Sequence, residues 1–505
     1  MCCNSSDEPG GVNQSCIPKP AGATPCCPGS AGNSTCQAAL GTNATCSLVT
    51  FTCTSCEAVS TTNPVYVVDP VSGSDGATGS GLASGGVTST ACALKTIGRA
   101  LQLISIVGTA QPTKIIVVGS QGGVTDTAET FPLTIPANTA LTTQTGAVTI
   151  VVGSATNGFL MSSASSSISS GTGAPLTITG TPAGGSATGL NGIEVGGNAV
   201  AASTNISDLT ITGFTDDAIV VGGGNTGGSV TIGAGVDAEK SANGLHVTGT
   251  GAATITVAAG ATPTFFDNNT THGIFVEMNG AITLTGAPTM ATLTTTPAGT
   301  IMTEGNGAAG IWIEQTPGAS QHNSINGVVS YANEGNANGM RIVGGSNVSV
   351  TNSWFLKNGG NGVIISTGNG GTDTQNNSID AINLGSANGV AFANNVFQQP
   401  QTGNANGSAG VCLAIATGHT ASAGNVIPAV SPQALSAAGD QWSVHNCATG
   451  TGTLELNPAS CDNGTKNGGT FVCANGVCDL GLEGGKAPLG TTAEPNTFTV
   501  TGCTQ

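Results

Sequence analysis

Positive charge is nearly missing from this chain: nine Lys and Arg stand against 26 Asp and Glu over 505 residues, a formal net charge of −17. A nucleic-acid backbone is recognised by clustered Lys and Arg, so that class of partner is excluded. Charge of either sign is scarce. Charged residues are 7%, where about 25% is usual, so the surface must be solvated by Thr, Ser and Asn. Such a surface suits an extracellular solenoid better than a cytosolic enzyme. Aromatics make up only 3%, which leaves small aliphatics to build a core. No run approaches the roughly 20 apolar residues of a membrane span. No secretion signal is visible, and the start at Met1-Cys2-Cys3 reads as a processed or trimmed sequence.

Cysteine is missing from 93 to 411 and crowded outside that stretch. Cys2, Cys3, Cys16, Cys26, Cys27, Cys36, Cys46, Cys53, Cys56 and Cys92 lie at one end, and Cys412, Cys447, Cys461, Cys473, Cys478 and Cys503 at the other. Two separate disulfide frameworks are expected, in an oxidising compartment, extracellular or at the cell surface. Cys53-x-x-Cys56 has zinc-ligand spacing, but no second pair or nearby His completes four ligands, so no metal is expected there.

The cysteine-free middle carries a repeat made of a small residue, an aliphatic, any residue and a second aliphatic. Copies start at Gly192, Ala218, Gly244, Gly273, Gly310, Gly339, Gly362 and Gly389, so the step varies between 23 and 37 residues. Between them lie Thr- and Ser-rich stretches with alternating aliphatics, such as Leu209-Thr210-Ile211-Thr212 and Thr254-Ile255-Thr256-Val257. Short alternating strands, Gly/Asn/Ser/Asp turns and a period of this size predict the coils of a parallel β-helix. Four segments are expected: a Cys-rich module over 1–60, a first strand and capping helix over 61–114, the β-helix over 115–410 and a Cys-containing cap over 411–505.

The motif order Val65-Tyr66-Val67-Val68-Asp69-Pro70, Gly73-Ser74-Asp75-Gly76, Leu94-Lys95-Thr96-Ile97-Gly98-Arg99-Ala100-Leu101 and Lys114-Ile115-Ile116-Val117-Val118 resembles the opening of a bacterial surface-protein domain family of unknown function. That family sits within the pectate-lyase-like right-handed parallel β-helix superfamily. The resemblance implies a first strand, then a helix around 94 to 106 that plugs the open end of the coil stack. An uncovered end would expose unpaired strands and apolar core, so physics asks for the plug independently.

Equivalent side chains stack about 4.8 Å apart in such a fold, so the third position of the repeated phrase forms an outward column. It reads Glu194, Val220, His246, Phe275, Trp312, Arg341, Ile364 and Ala391. Phe275, Trp312, Arg341 and Ile364 are the candidate binding or interface residues, as an aromatic and aliphatic stripe on an otherwise polar surface. Thr215-Asp216-Asp217-Ala218-Ile219 resembles the paired-aspartate motif of polygalacturonase-like hydrolases, with Glu194 one coil earlier, which makes Glu194, Asp216 and Asp217 the candidates for acid and base. The companion Gly-His-Gly and Arg-Ile-Lys motifs are missing. The five histidines have no metal-like spacing and read as ordinary surface or satisfied histidines.

These observations lead to an expectation of an extracellular structural or adhesive β-helix, without enzymatic activity, that self-associates into a filament or surface assembly. A surface glycan is the other partner considered, with no membrane span and no cofactor beyond possible calcium. A polysaccharide-active hydrolase or lyase is the alternative. Ice binding through Thr-x-Thr rows is the third reading.

Overall fold

The computed structural model describes residues 59 to 366 with internal gaps, together with the backbone of isolated strands on either side. Three parallel sheets of fourteen, eleven and nine strands carry the fold, and from Thr113 to Ser366 consecutive strands of the chain belong to different sheets. Each strand pairs in parallel with one from a neighbouring coil, which is the architecture of a right-handed parallel β-helix. By compactness the chain divides into residues 1–151 with 164–177, and residues 152–163 with 178–505.

In the first unit, Val65–Val68 pairs in parallel with Thr113–Val118, which in turn pairs with Thr139–Gln144. Helix α1, Ile97–Val107, buries Ile97, Ala100, Leu101 and Ile104, the i, i+3, i+4, i+7 stripe of an amphipathic helix. It starts later than the sequence pattern suggests, because Leu94 is held by the first strand: its N–H donates to Val67 O at 2.8 Å. Thr96 caps the helix by accepting from Arg99 N. The Glu129 carboxylate accepts from Ile97 N at 2.5 Å and Gly98 N at 2.9 Å. Gly108 ends the helix at φ 93°, a conformation that favours glycine.

In the second unit each coil from Ile193 to Leu356 holds three strands. One coil runs from Asp217–Val221 in the eleven-stranded sheet through Val230–Ile232 in the fourteen-stranded sheet to Asp237–Glu239 in the nine-stranded sheet. The repeated phrase therefore marks one strand in three. Thr210 and Thr212, which the Thr columns group with Thr254 and Thr256, lie instead in the nine-stranded sheet opposite Asp237 and Glu239. The Thr/Ser row of the fourteen-stranded sheet is Asn205, Thr231, Thr254, Thr283, Ser324 and Ser349. Thr-x-Thr recurs on paired strands of this sheet at Thr254/Thr256 and Thr283/Thr285.

The inward aliphatics Ile219, Leu245, Ile274, Ile311 and Met340 are all fully buried, and burial of each contributes about 1.5–3 kcal/mol. The small residue of the phrase has a steric cause. A Cβ on Gly244 would sit 2.7 Å from Gly273 O, one on Gly273 2.7 Å from Gly310 O, and one on Gly310 2.7 Å from Gly339 O. The coil turns are secured by a second device: buried Asn269, Asn306 and Asn333 stack with Asn358. Each of the first three donates its Nδ2–H to the Oδ1 of the next, at 3.1, 2.9 and 2.7 Å. The same Oδ1 atoms accept the backbone N–H of the preceding Asn, so the turn's polar groups are satisfied away from water.

Among the described residues no helix is long and apolar enough to cross a membrane.

Candidate functional site

The outward column is set by strand register in the eleven-stranded sheet. Glu194 pairs with Val220, Val220 with His246, His246 with Phe275, Phe275 with Trp312, Trp312 with Arg341 and Arg341 with Ile364. The next strand in the sheet is Ala409–Ala414, with Cys412 opposite Ile364. Ala391 lies outside the described residues. Phe275, Trp312, Arg341 and Ile364 are half-buried rather than fully exposed.

The residue just before the repeated phrase forms a second, polar column: Asp217, Asn243, His272, Ala309 and Asn338 are partners in the same register. It meets the first column at Asp217. The Asp217 carboxylate receives Asn243 Nδ2–H on Oδ1 at 2.7 Å, and its Oδ2 lies 2.8 Å from His246 Nδ1. A carboxylate only accepts, so the His246 Nδ1 that faces it carries a proton. The same logic reaches one coil further. Asn243 uses its amide to donate to Asp217, which leaves its Oδ1 facing His272 Nδ1 at 2.8 Å, so His272 is also protonated on Nδ1 and bare at Nε2.

Aromatic contacts join the two columns. His246 stacks on Phe275 with ring centroids 4.7 Å apart, and His272 lies 4.8 Å from the Trp312 ring, edge to face. The Arg341 guanidinium covers Trp312 at 4.3 Å from the ring centroid, a cation–π contact. Burial, and then the His246 and Arg341 charges, push His272 down to about 4, so it is neutral at physiological pH. Burial also lowers Arg341, against the nearby Glu314 carboxylate. Four buried polar atoms of this face, His246 Nε2, His272 Nε2, Trp312 Nε1 and Arg341 Nε, find no hydrogen-bond partner within the described residues. Buried polar atoms are ordinarily paired, so these four set this face apart among the described residues.

The acid candidates separate. Asp217 is buried in the site. Asp216 is exposed and serves the coil through its backbone carbonyl, which accepts from Ala242 N at 2.6 Å. Glu194 accepts from Asn157 Nδ2 at 2.6 Å across the neighbouring coil. The structure thus joins Asp217 to a histidine rather than to a second carboxylate. Sequence reasoning placed His246 in the column but gave it and His272 no role. The signal was present as a polar residue directly before the small residue of seven of the eight phrases, Asn191, Asp217, Asn243, His272, Asn338, Asn361 and Asn388, with Ala309 the exception.

On the nine-stranded sheet, Asp237, Glu239 and Asp267 bring one carboxylate oxygen each within 4.8 Å of one another. Burial first, then mutual repulsion, raises Asp237 to about 6 and Asp267 to about 7. Lys240 pairs with Glu239 at 2.6 Å. Acid crowding by itself does not define a cation site.

Of the sixteen cysteines, Cys92 is disulfide-bonded. The side chains of the other fifteen, from Cys2 to Cys56 and from Cys412 to Cys503, lie outside the described residues.

Fold and site together define a parallel β-helix with an aromatic and imidazole-lined face. No protein-family model matches the chain, and no curated protein sequence matches it. Among solved structures, the chain is similar to the A-module of the mannuronan C-5 epimerase AlgE6 of Azotobacter vinelandii, at 13% identity and a TM-score of 0.37, covering 71% of this chain and 92% of that one. No residue role is carried over from that likeness.

Proposed function

We propose that the chain is an extracellular structural or adhesive β-helix that binds a glycan along the outward face of the eleven-stranded sheet. The observation that carries this reading is the row His246, Phe275, Trp312 and Arg341, with His272 beside it, in which aromatic faces alternate with buried polar atoms that have no partner among the described residues. A sugar offers both apolar C–H faces for stacking and hydroxyls for bonding, and so satisfies both halves of the arrangement. Extracellular placement is supported by the disulfide at Cys92, by the clustering of cysteines at both ends and by the low charge. Self-association through residues 1–60 is part of the proposal, though those residues lie outside the described ones. The binding test is calorimetry of the full chain against soluble oligosaccharides. Trp312→Ala should weaken binding at least about tenfold, as expected for loss of a stacking aromatic anchor. Unchanged affinity would end the reading.

The Asp217–His246 contact at 2.8 Å favours a second reading, a polysaccharide-active enzyme in which His246 Nε2 is the base and Asp217 orients it. Turnover of any glycan that is abolished by Asp217→Asn, with binding retained, would establish it over the structural one. Absence of turnover across neutral, anionic and cationic polysaccharides would leave the binding role.

A further inference from the structure

We infer that the glycan taken by this face is one bearing free amino groups, a cationic hexosamine polymer, and not a polyuronate; the inference rests on the binding reading above. Its first support is charge. Carboxylates flank the aromatic floor on both sides: Asp216 and Asp217 precede the phrase of one coil, while Glu277 and Glu314 stand two residues beyond Phe275 and Trp312. Asp216 is exposed and Glu277 is 45% exposed in its side chain, so both face solvent beside the stripe. Against these stands one permanent cation of the column, Arg341, and it is already engaged by the Trp312 ring and by the field of Glu314. A polyanion would meet net negative charge here.

The second support is hydrogen-bond polarity. Asn243, held by its own bond to Asp217, fixes the neutral His272 imidazole as the Nδ1–H tautomer, so His272 Nε2 is an acceptor that needs a donor. His272 is 7% exposed, and its Nε2 is buried beside Phe275 and Trp312 without a partner among the described residues. A carboxylate has no hydrogen to give to that nitrogen. An ammonium has three, and it is also attracted by the faces of the Phe275 and Trp312 rings. The orphan donors Trp312 Nε1–H and Arg341 Nε–H are matched by the hydroxyl and ring oxygens that any hexosamine carries.

The test uses the full chain with three probes of equal length at pH 6: a free-amine hexosamine oligomer, its N-acetylated counterpart and a uronic-acid oligomer. At low salt the free-amine oligomer should bind about tenfold or more tighter than the N-acetylated one, and the gap should shrink in 1 M salt as screening requires. The Glu277→Gln/Glu314→Gln double variant should cut the preference by about two- to fivefold, the range of a few exposed charge pairs, with the N-acetylated affinity unchanged. Equal or tighter binding of the uronic-acid oligomer, or a preference that survives the double variant in full, overturns this inference while leaving glycan binding intact. Binding of none of the three overturns both. A matched thermal melt of each variant separates lost recognition from lost fold.

Discussion

Replacing Asn306 by Ala tests whether the buried asparagine stack holds the coils together. Asn306 is fully buried, and its side chain makes four hydrogen bonds. It donates to Phe266 O at 3.0 Å and to Asn333 Oδ1 at 2.9 Å, and it accepts from Asn269 N and Asn269 Nδ2, both at 3.1 Å. At about 1 kcal/mol net for each bond, removal costs about 4 kcal/mol, and the orphaned Asn269 N–H sets the upper side of that range because water has no route to it. That is a large share of the stability of an ordinary domain. Thr254→Ala on the outward face of the fourteen-stranded sheet is the control, and it should stay within about 0.5 kcal/mol. The assay is urea unfolding followed by far-UV circular dichroism, with the slope checked for each variant, since stacked coils interact mainly with their neighbours and can unfold in parts. A loss below about 1.5 kcal/mol at unchanged slope would refute the view that the stack is a principal tie between coils.

Three other outcomes follow from the geometry. Gly273→Ala should destabilise strongly, by more than about 2 kcal/mol in the same unfolding assay, because its Cβ would lie 2.7 Å from Gly310 O, 2.8 Å from Phe266 O and 2.9 Å from Asn306 Nδ2, where buried neighbours cannot move aside; a neutral result would contradict the packing. Imidazole NMR should find His272 protonated on Nδ1 alone and uncharged until the pH falls to about 4, whereas a midpoint near the ordinary histidine value would show that the ring is not buried as described. Asp237 and Asp267 are raised in the folded chain to about 6 and about 7; the folded state then binds more protons than the unfolded one between about pH 4 and 7, so their contribution to stability is present at low pH and is lost as the pH rises through that window. Melting temperatures of native protein and Asp267→Asn should diverge on that account, the variant showing the flatter profile, and parallel profiles would refute the assignment.

The repeat, the strand alternation and the outward column were legible in the sequence, because period-2 burial forces every aliphatic of the phrase inward and leaves its middle residue outside. Glu194, Val220, His246, Phe275, Trp312, Arg341 and Ile364 could therefore be written down as a column from spacing alone, and register places them so. The small residue at the head of the phrase was visible too, but its cause was not: the approach of each Gly to the carbonyl of the next coil is a distance between residues some 30 positions apart. Spacing likewise could not say that Thr210 belongs to the third sheet of the coil rather than beside Thr254, since irregular turns between strands hide which of three sheets a Thr-rich stretch joins. Only the tertiary structure brought Asp217 onto His246 and, through Asn243, tied His272 to the same carboxylate. Those partners lie 26 to 29 residues apart, and nothing local in the chain marks them as a set. They meet because stacking turns one coil of sequence separation into one strand spacing, which converts a scattered Asp, Asn and His into a single hydrogen-bonded face.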